Sequence, residues 1–308
     1  MSETRPTAAS DSAAAHRASS PTPRPMRFRE TRRAVRTFSR SFSSMLGLGL
    51  VVIFLFIAAF GPWLAPYPED AYGAVDFGAK LLSPSPEHWF GTDQVGSDIF
   101  SRVLIGARTT LKIGVTVTGI AILIGVPLGL IAGMSGGWIG EVIMRITDIF
   151  LSIPGLILAI AIVGALGPGI INAMIALSVV WWPGYVRLVQ AKTLSQRNET
   201  YVEAARALGA GPLRVAFVHV LPNCLSPIIV KASMDMGMAI LGAASLGFLG
   251  LGAQPPYPEW GAMISTGRAY LPDWWWASFF PGIAIYLTVL GFNLLGDGLR
   301  DVFDPRQR

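Results

Sequence analysis

From Met45 onward the chain alternates long apolar runs with short polar stretches. Six runs approach the roughly 20 residues that a helix needs to cross a bilayer. Met45–Leu64 and Ile113–Met134 carry no charge, and the second contains Pro127. The third predicted span runs from about Ile143 to Leu166, with Arg145 and Asp148 near its start. Ile170–Val186 is the fourth, Ser226–Leu251 the fifth, with Lys231 and Asp235 inside it, and Ala277–Leu295 the sixth. Small residues recur within them (Gly125, Gly129, Gly133, Gly237, Gly242, Gly247), which lets helix backbones approach closely. The expected fold is all-α, with six transmembrane helices. Its parts are a tail over 1–44, a first span over 45–64, an outer loop over 65–112, a five-helix core over 113–299 and a tail over 300–308.

Composition agrees. Hydrophobic residues make up 52% of the chain and charged residues only 14%, with a mean hydropathy of +0.51. Soluble domains carry about 25% charged residues. The net charge is +5. Nine arginines fall in residues 1–44, so the basic balance reads as a topology signal, not as a nucleic-acid surface. With both termini cytoplasmic, the inner segments hold 17 Lys and Arg and the outer segments five. Residues 1–25, rich in Ala, Ser, Pro and Thr, read as disordered, and no signal-peptide pattern is expected. Cys224 is the sole cysteine, and His16, His88 and His219 have no ligand spacing, so no metal site is expected.

The segment Glu203–Pro222 falls on the cytoplasmic side, within a loop over 187–224. Tyr201, Val202, Ala205 and Leu208 share a helical face. Gly209 suits a helix stop, and Pro212 can begin a second helix. Leu213, Phe217, Val220 and Leu221 would line the apolar face of that helix, and Pro222 would end it before the fifth span. Ile99, Phe100, Val103, Leu104, Ala107 and Leu111 predict a separate interfacial helix before the second span. Lys231 and Asp235, four apart, read either as a structural pair or as lining a path. Arg145 and Asp148 read as a helical ion pair. Gln254–Trp276 suggests an aromatic belt at the outer interface.

The pattern Glu203-Ala204-Ala205, three residues, Gly209, then Leu221-Pro222 resembles the EAA loop of ABC importer permeases. His219 stands where the general motif often has Ile, and many peptide-type permeases carry His there. Gly91–Leu111, Leu246–Ile264 and Phe292–Pro305 resemble further signatures of the C-type permease of dipeptide, oligopeptide and nickel systems. The usual Gly-Arg-Asp appears here as Gly96-Ser97-Asp98.

The resemblance implies a type I ABC importer permease in a bacterial or archaeal inner membrane. It would be surrounded by lipid and paired with a second, paralogous permease. Two ABC ATPase subunits would bind ATP and magnesium, and an extracytoplasmic binding protein would deliver substrate. Glu203, Ala204, Ala205, Gly209, Leu221 and Pro222 would couple to an ATPase. Asp235 and Lys231 are candidates for the path. Gly91, Thr92, Asp93, Asp98, Pro258, Glu259 and Trp260 are candidates for a binding-protein contact or an outer gate. No cofactor is expected in the chain itself, which has no P-loop. Peptides are the favoured substrate, with nickel or glutathione as the alternative. An intramembrane enzyme would need catalytic clusters that the spans lack, and a stand-alone channel would need no docking loop.

Overall fold

The computed structural model describes Arg36 and residues 38–303. Most of the 1–44 tail, and residues 304–308 of the C-terminal one, lie outside the described residues. The described chain is built of helices: α1 (Phe42–Leu64), α2 (Ile99–Ser135), α3 (Gly137–Ser152), α4 (Gly155–Leu166), α5 (Ile170–Gln196), α6 (Thr200–Ala207), α7 (Pro212–Phe248), α8 (Trp260–Gly267) and α9 (Trp276–Phe303). Residues 65–98 form a loop with two short 3-10 turns.

Four helices, α1, α2, α7 and α9, are each long and apolar enough to cross a membrane alone. The pair α3–α4 adds a fifth crossing if it counts as one broken span. Among the described residues, length and composition alone therefore pick out four or five of the six expected spans. The remaining helix, α5, has the length at 27 residues, but Asn172, Trp181, Trp182, Pro183, Arg187 and Lys192 dilute its apolar character.

Four boundaries differ from the sequence expectation. The predicted interfacial helix and second span are one 37-residue helix, α2. Arg108 and Lys112, near the expected junction, sit on one exposed stripe of it and do not interrupt its backbone. The third span is broken between α3 and α4, which meet at 89°. Pro154 explains the break: its ring disfavours the α region for the preceding residue, and Ile153 is extended at φ −93°, ψ 129°. Pro222 ends nothing. A π-helical stretch, Val215–Val220, precedes it, and the Leu221 amide bonds back to Ala216. This wider turn carries α7 past the proline without a break. Residues 300–303, assigned to a tail, complete the last turn of α9.

Packing follows the small residues. A β-carbon on Gly129 would lie 2.6 Å from the Val186 carbonyl oxygen, and one on Gly125 2.6 Å from that of Trp182. One on Gly133 would lie 2.5 Å from the Thr193 β-carbon. These three glycines, four apart, share one face of α2 and seat it directly on α5. Against them, Tyr185, Val186 and Val189 join Val202, Val215, Ala216 and Val220 in one buried cluster. A second cluster joins α1, α2, α8 and α9 through Phe54, Val103, Trp260 and Phe292.

Candidate functional site

Three regions hold the residues singled out by sequence. The first is the surface built by α6 and the start of α7. Leu208 caps α6, and Gly209 follows at φ +85°, a left-handed conformation that glycine adopts without penalty. The Gly209 amide donates to the Arg206 carbonyl at 2.9 Å, and the Ala210 amide to that of Ala205 at 3.0 Å. This bond pair is the Schellman motif, and it fixes the turn. Val202 and Ala205 face inward, whereas Tyr201, Glu203, Ala204 and Leu208 are exposed. The face expected for the second helix also shifts. Val215, Ala216 and Val220 are buried, while Leu213 and Phe217 point outward, at 75% and 54% exposure. The widened turn over 215–220 changes which residues meet the core, an effect that a 3.6-residue period cannot anticipate.

Polar bonds moor this platform. The Asn223 amide donates to the Tyr201 hydroxyl at 3.0 Å and to the His219 carbonyl at 2.9 Å. Tyr201 in turn donates to Gln196 Oε1 at 2.8 Å. Arg197 donates to the Gly133 carbonyl at 3.0 Å, linking the end of α5 to the end of α2. Glu203, Ala204, Leu208 and Leu213 therefore form an exposed, partly apolar surface on a fixed base.

The second region is a cleft of about 750 Å³ between α5, α7 and α9, in the half nearest that platform. Lys192, Lys231, Asp235 and Arg300 supply its charges. Lys231 Nζ lies 3.2 Å from Asp235 Oδ1 and 3.1 Å from Oδ2. It also stands 5.1 Å from the centre of the Tyr185 ring. The Arg145–Asp148 pair expected from sequence does not form. Asp148 pairs across helices with Arg187, and Arg145 has no ion-pair partner among the described residues. A four-residue register read from sequence cannot see a neighbour 39 positions away.

The third region is the loop over 65–98, at the opposite end of α2. Asp98 caps α2 by accepting from the Ser101 amide at 2.7 Å, and its other oxygen lies 3.0 Å from His88 Nδ1. Its own amide donates to Asp70 Oδ2 at 2.7 Å. Asp93 accepts from the amides of Val95 and Ser97 at 2.9 and 3.0 Å and faces Arg102 Nε at 3.6 Å. Arg102 also donates to the Asp70 carbonyl at 2.9 Å. Burial pushes the carboxyls of Asp70 and Asp93 above their ordinary range. The Asp98 amide opposes the first shift, and Arg102 with two amides opposes the second.

The loop after α7 adds Glu259, which caps α8 through the amides of Gly261 and Ala262 at 2.9 and 2.8 Å. Burial raises this carboxyl too, against those two bonds. The Trp260 indole donates to the Val103 carbonyl at 3.0 Å. Trp276, expected in an aromatic belt, is buried, and its indole donates to the Thr92 carbonyl at 3.3 Å. Trp274 and Trp275 are exposed. Gly91, Thr92, Asp93, Asp98, Pro258, Glu259 and Trp260 are thus all buried. Pro255, Pro256 and the 65% exposed Tyr257 lie at the surface just before Pro258. The sequence marked residues that build the loop, because capping and turn chemistry is written in the same Asp, Gly and Trp residues as recognition.

Comparison with known proteins decides the family. Residues 125–308 match the family of binding-protein-dependent transport system inner membrane components. The chain belongs to that family. Residues 30–84 match the N-terminal transmembrane domain of oligopeptide transport permease C. Among curated relatives, a probable D,D-dipeptide transport system permease protein DdpC from Escherichia coli K12 is 51% identical over 257 residues, covering 83% of this chain and 85% of its own. The dipeptide permease DppC of Alkalihalophilus pseudofirmus is 48% identical over 278 residues, covering 90% of each chain. A glutathione permease, GsiD of Escherichia coli O157:H7, is 46% identical over 271 residues, covering 88% of this chain and 89% of its own. The fold is that of a chain of the inward-facing MetNI methionine ABC transporter, with a TM-score of 0.54 at 22% identity. That match covers 66% of this chain and 96% of the other. The chain is a multi-pass permease with a type I importer fold.

Proposed function

We propose that this chain is one of two permease subunits of an ATP-driven importer for di- and oligopeptides. Two dipeptide permeases at 51% and 48% identity over most of both chains support that substrate. The glutathione permease at 46% keeps a γ-linked tripeptide within the same chemistry and makes it the second reading. Both termini and the α5–α7 loop face the cytoplasm in this reading, in keeping with 17 Lys and Arg on that side against five on the other.

The observation that carries the mechanism is the platform of α6. Glu203 and Ala204 are exposed on a short helix whose opposite face, Val202 and Ala205, is locked into the core. A surface so mounted transmits a push as a rigid body. An ATPase subunit seated on it, carrying ATP and magnesium, would drive α6 and with it α5 and α7. The path would then alternate between its two openings. Ala204 admits close approach and Glu203 offers a charged contact. Gly209 fixes the turn, and Leu221 and Pro222 lead into α7. A binding protein outside would deliver substrate, and the paralogous permease would complete the path.

Uptake by the reconstituted complex tests the substrate, with di-, tri- and longer peptides, glutathione and Ni²⁺ compared side by side. Accumulation of Ni²⁺ and of no peptide would overturn the peptide reading. Glu203→Arg tests the coupling. It should leave the chain folded and inserted while ATPase association and uptake fall together. Normal assembly and uptake in that variant would remove Glu203 from the coupling contact.

A further inference from the structure

The cleft between α5, α7 and α9 has an unbalanced charge. Three cations, Lys192, Lys231 and Arg300, face one carboxylate, Asp235. Lys231 is committed to Asp235. Lys192 and Arg300 have no ion-pair partner among the described residues. Asp297 and Asp301, on the same helix as Arg300, do not come within ion-pair reach of it. Two cations are therefore left facing open volume in a protein where only 14% of residues are charged.

Asp235 is held by few partners. Its side chain is about nine-tenths buried, with 10% exposure. Lys231 Nζ donates to Oδ1 at 3.2 Å and stands 3.1 Å from Oδ2. The buried Tyr185 hydroxyl lies beside the same carboxylate. A buried carboxylate needs such partners to offset its lost hydration. Lys231 is the less buried member, at 30% side-chain exposure, and sits on a flexible four-carbon stem. The Tyr185 ring gives its ammonium a second resting place. The ion pair is thus of a kind that an incoming ammonium can displace.

We propose that this cleft binds the two free termini of a peptide: Asp235 takes the ammonium in exchange for Lys231, while Lys192 and Arg300 take the carboxylate. The proposal rests on the peptide reading above and adds to it a station inside the permease. The volume of about 750 Å³ falls in the range of small-molecule sites, about 300–1,000 Å³. The station lies in the platform-side half, so it is the last one a peptide meets before release. A peptide there replaces a pair held within one helix by contacts that join α7 to α5 and α9.

The experiment uses the whole complex in nanodiscs, free of nucleotide and of binding protein, with radiolabelled Ala-Ala as probe. The wild type should bind it saturably. Asp235→Asn should weaken binding about tenfold or more, the scale of one hydrogen bond to a charged group. Arg300→Gln should weaken Ala-Ala and leave competition by Ala-Ala amide unchanged. Lys231→Gln distinguishes this role from a structural one. It removes the internal competitor, so Ala-Ala should bind more tightly, whereas loss of a merely structural pair would give no gain. Uptake of Ala-Ala by the same complex with its binding protein is measured in parallel. Uptake without saturable binding, or binding that Asp235→Asn and Lys231→Gln both leave unchanged, overturns the cleft site alone. Failure to take up any peptide overturns the peptide reading and this proposal together.

Discussion

Replacing Gly129 by Ala puts a single methyl group between α2 and α5. The new β-carbon would stand 2.6 Å from the Val186 carbonyl oxygen and 2.8 Å from the Val189 β-carbon, against the 3.4 Å at which ordinary contact begins. The neighbours are backbone and a branched side chain, so nothing can swing aside and the helices must part by several tenths of an ångström. Overpacking of this kind costs about 1–3 kcal/mol. The higher helix propensity of Ala returns about 0.5–1 kcal/mol, leaving a net loss of up to about 2.5 kcal/mol. At about 2–4 °C per kcal/mol, a melting point several degrees lower follows. Gly119→Ala is the matched control on the same helix. A β-carbon there meets nothing within 4 Å, so it gains propensity without strain. The assay is built in: Cys224, the sole cysteine, is buried, and its reaction with a fluorogenic maleimide reports unfolding in nanodiscs. If Gly129→Ala melts at or above Gly119→Ala, the close-packed glycine seam is wrong.

Other outcomes can be checked with the same preparation. Asp98→Ala removes the α2 cap and the His88 contact together and should cost about 1–2 kcal/mol, seen as faster hydrogen exchange at residues 99–102. Asp148→Lys opposes Arg187, but both side chains are about half exposed, so a stability change within about 1 kcal/mol is expected, and a larger loss would show the pair to be shielded. Burial raises the Glu259 carboxyl above 4.5. The folded chain therefore holds that proton more tightly than the unfolded one. The stability that Glu259 lends is then largest at low pH and declines as pH rises from 4.5 through its folded value. The gap between wild type and Glu259→Ala, followed by melting point, should narrow across that window; a gap that widens with pH refutes the sign.

What the sequence made legible, and what it hid, follows from range. Apolar runs located the cores of α1, α2, α7 and α9, because crossing a bilayer demands length and composition that are local. Gly209 announced its turn, because only the local backbone decides a left-handed residue. The interfacial helix and second span merged, because charge on an exposed stripe, as at Arg108 and Lys112, does not end a helix. Pro154 broke a span and Pro222 did not. The difference is the π-helical stretch before Pro222, which depends on how Val215, Ala216 and Val220 seat against α5. Arg187 could not be named as the partner of Asp148, because only the packing of α3 on α5 brings them together. The burial of Thr92, Asp93, Asp98, Glu259 and Trp260 was not legible, because it depends on how the 65–98 loop and α8 pack on α2.

The length of α2 has a consequence of its own. At 1.5 Å per residue its 37 residues span about 55 Å, against a hydrocarbon layer of about 30 Å. One end is bolted to the outer loop through Asp98, Ser101 and Arg102. The other ends beside the α6 platform, where Met134 and Ser135 share a hollow with Arg206 and Ala210. A single unbroken helix, with Pro127 inside it, is thus long enough to reach past the hydrocarbon layer on both sides. A tilt of α2 as one body would therefore move the platform and the 65–98 loop together, and a movement on one side would reach the other as a change of angle.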